Sequence, residues 1–326
     1  MISRRTISLA GGASLLAANG SATARLAPPM RKVGWLDSTS MAAAGHVIDA
    51  FKLGMRDLGW VEGRNIEYRA VFAGGDVGPL DALAAELVAQ KVDMIMVTTT
   101  RGALAAKRAT NTIPIIVVNV GGLIELGLIE SLARPGGKIT GLSSQAEDLT
   151  GKMVELMHGF APRARRFALL MTGRLRSVYW PNFQKACSTL GLDALSVDID
   201  ALEQFEAAVE QLVAERADAV VLVGSGGAFT HRVRLFELLQ KTRLPVACVL
   251  AEWVRVGGLF SYGADMSASA RYSAKFVDKI FKGAKPGDLP VEQPTKFEMV
   301  LNLKTAKALG INIPHSVMLR ATEVIE

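Results

Sequence analysis

Short, wholly apolar runs alternate along this chain with stretches whose apolar residues recur every three or four positions. Residues 115–118 (IIVV) carry no polar side chain at all. Such a run suits a strand buried on both faces of a parallel sheet. It ends in Asn119-Val120-Gly121-Gly122, a turn without bulky side chains. Residues 32–36 read as an earlier strand, and Ile66, Tyr68, Ala70 and Phe72 alternate with polar or small residues as a half-buried one. Ile48, Phe51, Met55 and Leu58 mark a helix stopped at Gly59; Leu80, Leu83, Leu87 and Val88 mark the next. Leu123, Leu126, Ile129, Leu132 and Ala133 keep the same spacing, so a helix is expected there, ended by Pro135-Gly136-Gly137 before a strand at 139–142.

The pattern continues with helices at 149–160, 182–190, 202–215 and 268–281, and strands at 167–171, 195–199, 219–227, 246–250 and 297–303. An extended connection with three prolines fills 283–294. Alternating β and α units predict parallel sheets with right-handed crossovers. The pattern also repeats. ELVAQKVD at 86–93 returns as QLVAERAD at 211–218, each followed by an apolar strand, a helix, a Pro-led strand and a glycine pair. Two similar α/β lobes with a cleft between them follow from that duplication.

With 326 residues, half of them hydrophobic, the chain can bury two cores of ordinary size. Residues 1–24 resemble an export signal. Ser3-Arg4-Arg5-Thr6-Ile7-Ser8-Leu9 is similar to the twin-arginine pattern, with a general secretory signal as the alternative, and Ala22-Thr23-Ala24 fits a cleavage site. No cysteine lies near that point, so no lipid anchor is expected. Removing Arg4 and Arg5 reduces the net charge from +6 to +4 (6 − 2), too small and diffuse for a nucleic-acid surface. Cys187 and Cys248 lack CxxC spacing and read as buried apolar residues. No apolar run is long enough to insert the mature chain in a membrane.

The chain has no dinucleotide fingerprint, phosphate loop, nucleophile elbow or zinc-protease motif, and its four histidines lack metal-ligand spacing. No cofactor is expected, and no catalytic residue: Asp265 and Glu252 have no evident partner for acid–base work. What remains is a set of strand ends rich in hydroxyls. Ser38, Thr39, Thr99, Thr100, Asn119, Ser143, Thr172 and Ser225 are placed to hold a polar solute outside the carboxyl ends of parallel strands. Two roles are open to Arg101, pairing a ligand carboxylate or standing solvated at a helix start. Trp253 can stack on a flat ligand or pack in a core. Asp265 can accept an ammonium or cap the following helix.

Residues 58–66 (LGWVEGRNI), 103–107 (ALAAK), 132–137 (LARPGG), 257–259 (GGL) with 261–263 (SYG), 288–297 (DLPVEQPTKF) and 302–310 (NLKTAKALG) resemble the ABC-transporter substrate-binding proteins of the tryptophan/tyrosine-binding type. The resemblance spans nearly everything after residue 24. It implies a type I periplasmic-binding fold, with lobes of 31–142 plus 264–283 and 143–263 plus 293–326 joined by a three-segment hinge. It also implies a periplasmic location, and a membrane permease and its ATPase as partners; a monomer is expected. A periplasmic sensor docking on a receptor is the alternative, and an enzyme using the same cleft a further one. Thr99-Thr100-Arg101 replaces the family's frequent Gly-Thr-Pro, and Gly121-Gly122-Leu123 its Gly-Asp-Pro. An added cation and a lost aspartate suggest a carboxylate-bearing ligand, aromatic or not, that need not be an α-amino acid.

Overall fold

The computed structural model describes residues 30–326 apart from Val77, Ser225, Thr295 and Lys296. The expected export segment and the candidate Ser225 therefore lie outside the described residues. The first lobe holds β1 (Arg31–Asp37), α1 (Met41–Asp57), β2 (Ile66–Phe72), α2 (Leu80–Ala89), β3 (Met94–Val97), α3 (Thr100–Ala109), β4 (Ile115–Val120) and β5 (Ile139–Ser143). These strands form a parallel sheet in the order β2-β1-β3-β4-β5.

The chain then builds the second lobe from α4 (Ala146–Phe160), β6 (Arg166–Met171), α5 (Arg176–Thr189), β7 (Asp193–Asp198), α6 (Phe205–Ala214), β8 (Ala219–Gly224), α7 (Gly226–Thr230), α8 (Arg232–Thr242), β9 (Val246–Cys248), α9 (Ala251–Arg255) and β10 (Phe260–Gly263). Helix α10 (Met266–Phe281) returns to pack on the first lobe. After a third passage, β11 (Glu298–Asn302), α11 (Leu303–Leu309), α12 (His315–Met318) and β12 (Glu323–Ile325) complete the second. Its sheet runs β12-β11-β10-β9-β8-β6-β7.

The apolar runs are continuous because both faces of each sheet are covered. Along β3, Met94 and Met96 pack with Phe51 of α1 and Phe276 of α10, whereas Ile95 and Val97 face Leu87 and Ala106 of α2 and α3. In the second lobe Phe167, Leu169 and Met171 join one core and Ala168 and Leu170 the other. The period of two puts alternate residues on opposite faces, so a strand with helices on both sides needs no polar position. Cys187 and Cys248 are buried in these cores, and burial pushes the Cys187 thiol up to about 12.

The duplication extends to backbone detail. Lys91 and Arg216, at equivalent repeat positions, both adopt left-handed φ, 55° and 54°. The next repeat aspartates anchor the neighbouring strand alike: Lys32 N donates to Asp93 Oδ2 at 2.7 Å, and Arg166 N to Asp218 Oδ2 at 2.9 Å. The paired prolines match too, their carbonyls accepting from Ile95 N and Val220 N.

One expectation fails and another needs one exception. Residues 123–133 form turns, not a helix. Gly122 and Gly127 take φ of 69° and 61°, which interrupts any helix, and the apolar periodicity instead seats Leu123, Leu128 and Ile129 in the first core as a loop cover. The second sheet is also not wholly parallel, because β11 runs antiparallel to β10. Strand β10 leaves the second lobe at the hinge and β11 enters from it, so adjacent placement opposes their directions.

The third passage is tied to the first lobe before it crosses. Ser143 N donates to Glu292 O and Glu292 N to Gly141 O, both at 2.9 Å, extending the sheet beyond β5. Tyr272 Oη and Lys275 Nζ of α10 hold the Glu292 carboxylate at 2.6 and 2.7 Å. Three strands of chain thus lie side by side between the lobes.

Candidate functional site

The carboxyl ends of both sheets open on one cleft of about 180 Å³. On the first-lobe wall, Asp37 at the end of β1 is 1 % exposed. Its carboxylate accepts from Trp35 Nε1 (3.3 Å), Thr39 N (2.9 Å), Thr39 Oγ1 (2.8 Å) and Thr98 Oγ1 (2.5 Å). Four donors compensate the buried charge and fix both threonines at the cleft. Thr99 caps α3 by accepting from Gly102 N, and Ser38 Oγ donates to Thr99 Oγ1 at 3.2 Å. Asn119 lies within an irregularity in the β4–β5 register and sits at φ 59°, a conformation asparagine tolerates. The bulge places its side chain in the cleft lining.

The second-lobe wall brings Thr172, Leu175, Tyr179, Val223, Gly224, Phe229, Val249 and Trp253, and the hinge segments add Ser144, Ala264 and Met266. The surface is thus mostly apolar, with hydroxyls and the side chains of His46, Arg101, Asn119 and Glu252 set into it. Burial raises the Tyr179 phenol and the Glu147 carboxyl above their ordinary values, and Glu147 adds to the effect at Tyr179. Glu147 Oε1 accepts weakly from Gly122 N at 3.5 Å, while its buried Oε2 has no donor. Arg101 stands half-buried in the lining. Burial, then nearby Arg174, lower its pKa, and Asp200 opposes the drop. Among the described residues its guanidinium has neither hydrogen-bond nor ion-pair partner, in contrast to Arg176, which pairs with Asp198 at 3.0 Å.

The lobes touch around this space. His46 Nε2 of α1 lies 3.4 Å from Glu252 Oε1 of α9. Gly226 packs so closely on Ser38 that a Cβ there would fall 2.2 Å from Ser38 Oγ.

Of the residues singled out from sequence, Ser38, Thr39, Thr99, Thr100, Arg101, Asn119, Thr172 and Trp253 line the cleft together. Ser143 does not; its backbone pairs with Glu292, and Ser144 takes the lining position. Asp265 is likewise outside the lining, its carboxylate capping α10 by accepting from Ala268 N at 3.0 Å. That geometry selects the capping role. Sequence reading missed Asp37, Tyr179, Glu147, Phe229 and Met266. A strand-end rule reaches Asp37, whereas Tyr179 and Phe229 come from helices whose local pattern carries no sign of a cleft.

The pattern common to the ABC transporter substrate binding protein family matches residues 33–325. The chain belongs to this family. It is 24% identical over 259 residues to a "Tyrosine-binding protein" of Clostridioides difficile, an alignment covering 79% of this chain and 74% of that one. Its fold resembles the structure of the Streptococcus pneumonia ABC domain in complex with L-Trp, with TM-score 0.83, 24% identity, and coverage of 91% and 100% of the two chains. The ligand-free, open structure of a substrate binding protein with adhesive properties from Clostridium difficile gives TM-score 0.65 at 22% identity, covering 91% of this chain and 99% of that one. The fold is that of the type I periplasmic binding proteins, two α/β lobes with parallel sheets.

Proposed function

We propose that this substrate-binding protein serves an ABC importer outside the cytoplasm, closing its lobes on a small carboxylate-bearing solute with a flat apolar body. The observation that carries this reading is the unpaired Arg101 in the lining of a mostly apolar interlobe cleft. A guanidinium without a partner offers two parallel N–H donors to a carboxylate. Val223, Phe229, Val249 and Leu175 supply apolar surface for the rest of the guest. The similar proteins named for tyrosine and crystallised with L-Trp hold ligands with a carboxylate and an aromatic ring, which supports the class.

The lobes 31–142 plus 264–283 and 143–263 plus 293–326 move as bodies about the three hinge segments, and ligand shifts an open–closed equilibrium. The better superposition on the L-Trp complex than on the open protein, at nearly equal identity, fits a closed arrangement. Delivery to a permease and its ATPase follows from the family, and export of residues 1–24 by the twin-arginine route brings the chain there.

A second reading, an aromatic α-amino acid, is favoured by Glu147 Oε2, a buried acceptor without a donor beside cleft residue Gly121. An ammonium would satisfy it. Thermal-shift assays on protein refolded from denaturant separate the readings: benzoate and 4-hydroxybenzoate against L-tryptophan, L-tyrosine and L-phenylalanine, with glucose and myo-inositol as controls. Ligand at a hundred times its Kd stabilises by about 2.7 kcal/mol, several degrees in Tm. Stabilisation by sugars alone would refute both readings, and a chemically converted ligand after incubation would refute capture without turnover.

A further inference from the structure

A second cavity, of about 420 Å³, adjoins the cleft between the lobes. His46 of α1 and Glu252 of α9 line both spaces, so the pair stands in the wall between the guest's cleft and this outer cavity. His46 Nε2 lies 3.4 Å from Glu252 Oε1, with the two side chains 46% and 20% exposed. The helices belong to different lobes, so this approach exists only while the lobes meet. The surrounding charges leave the two groups to each other. Arg255 is drawn to Glu323 at 2.7 Å. Arg232 Nη1 donates to Phe229 O at 3.0 Å, and its guanidinium lies over the Phe229 ring. Asp265 is used in capping α10. Burial, then Asp265 and Glu252, raise Glu298 from 4.5 to about 7, so it carries less charge than an ordinary carboxylate where an imidazole titrates. Asp49, three residues further along α1, is exposed. Among the described residues no Lys or Arg comes within ion-pair reach of Glu252, and His46 does.

We infer that His46 and Glu252 form a proton-dependent latch: the imidazolium of the first lobe grips the Glu252 carboxylate of the second and holds the cleft shut over its guest. The inference rests on the proposed closure of the lobes on a solute and adds what regulates it. A neutral imidazole brings no charge to the carboxylate, whereas a protonated one completes an ion pair that parted lobes cannot make. Coupling is reciprocal: if protonation favours the closed form, closing favours protonation. Closure therefore takes up protons in the range where histidine ordinarily charges, and mild acid tightens capture. A partly exposed ion pair is weak, so the effect is a few-fold and not orders of magnitude.

The test is calorimetry on the full mature chain with whichever of benzoate, 4-hydroxybenzoate, L-tryptophan, L-tyrosine and L-phenylalanine it binds. Affinity should be about threefold tighter at about pH 5.5 than at about pH 8. Titrations in buffers of different ionisation heat should show proton uptake on binding near about pH 6.5. His46→Gln and Glu252→Gln each remove one half of the bridge, and in each the ratio of affinities at the two pH values should fall to about one. The double variant should show coupling between the two changes at the lower pH and none at the higher, which separates a latch from direct contact of either side chain with the guest. An unchanged ratio in His46→Gln, or a ratio that Glu298→Gln abolishes and His46→Gln keeps, would overturn the inference and leave solute capture standing. Energy transfer between dyes on the two lobes gives a readout that needs no guest. In ligand-free protein the closed-to-open ratio should rise about threefold between the same two pH values, and should not rise in His46→Gln. Equal ratios in the unmodified protein would overturn the latch. Should none of the five probes bind while the closed fraction follows pH, the proposed ligand class falls and the latch stands.

Discussion

Gly226→Ala tests closure of the lobes at a single contact. The Cβ introduced there would stand 2.2 Å from Ser38 Oγ, 2.8 Å from Ser38 Cβ and 3.2 Å from the Ser38 carbonyl carbon. The hydroxyl can rotate away; the Cβ and backbone cannot, so the lobes must part to restore ordinary contact. Gly226 opens α7 in the second lobe and Ser38 follows β1 in the first, so the clash exists only when they meet. Overpacking of this size costs about 1–3 kcal/mol. Since that cost falls on the closed form alone, affinity should drop by roughly 5–150-fold while the melting temperature of ligand-free protein stays unchanged. Isothermal titration with the best-binding member of the carboxylate panel measures the affinity, and small-angle scattering with and without that ligand measures closure. Adding Ser38→Gly removes the two nearest atoms, so the double variant should bind more tightly than the Gly226→Ala and Ser38→Gly effects sum to. Gly45→Ala on α1, where a Cβ meets nothing within 4 Å, is the control: it should stabilise the helix by about 0.5–1 kcal/mol and leave binding alone. Gly226→Ala binding within about twofold of the unmodified chain, or strict additivity in the double variant, would refute the reasoning.

Three further perturbations probe the same construction. Arg101→Ala should weaken binding of carboxylate ligands by about 1.5–3 kcal/mol without changing the ligand-free melting temperature; an unaltered affinity by calorimetry would return Arg101 to a solvated surface role. Asp37→Ala strands the donors of Trp35, Thr39 and Thr98, about 1–3 kcal/mol for each one left buried and unmatched, so urea denaturation should show a loss of several kcal/mol, and a loss below about 1 kcal/mol would be inconsistent with the network. Burial, with Asp265 and Glu252 nearby and Arg255 opposing, raises Glu298 from 4.5 to about 7. The folded chain then binds a proton that the unfolded chain has released, so Glu298's contribution to stability falls as pH rises from about 4.5 to about 7 and is flat above. Glu298→Gln should flatten that part of the melting-temperature profile, and an unchanged slope would refute the assignment.

Much of the architecture was legible in local pattern. A run such as IIVV at 115–118 has no polar face to spare, which already requires helices on both sides of its sheet. The repeat at 86–93 and 211–218 announced two lobes, and the shared left-handed turn at Lys91 and Arg216 shows why it is repeated: the same strand entry has to be built twice. The hydroxyls at strand ends were readable because parallel sheets place their carboxyl ends together. Leu123 to Ala133 misled, since apolar residues spaced for a helix serve a glycine-broken loop equally well when a core lies beneath them.

The sequence by itself determined strand order of appearance, burial and the chemical palette of the cleft, because these depend on residues near one another in the chain. Tertiary structure alone decided which groups are left over. Arg101 is unpaired, Trp253 lacks an acceptor and Asp265 is consumed by a helix cap only by virtue of what the fold brings, or fails to bring, within hydrogen-bond reach. Tyr179 and Phe229 joined the site from helices of the other lobe for the same reason. Hydrogen bonding acts over about 3 Å, and neighbours at that range are set by three-dimensional packing far more than by distance along the chain.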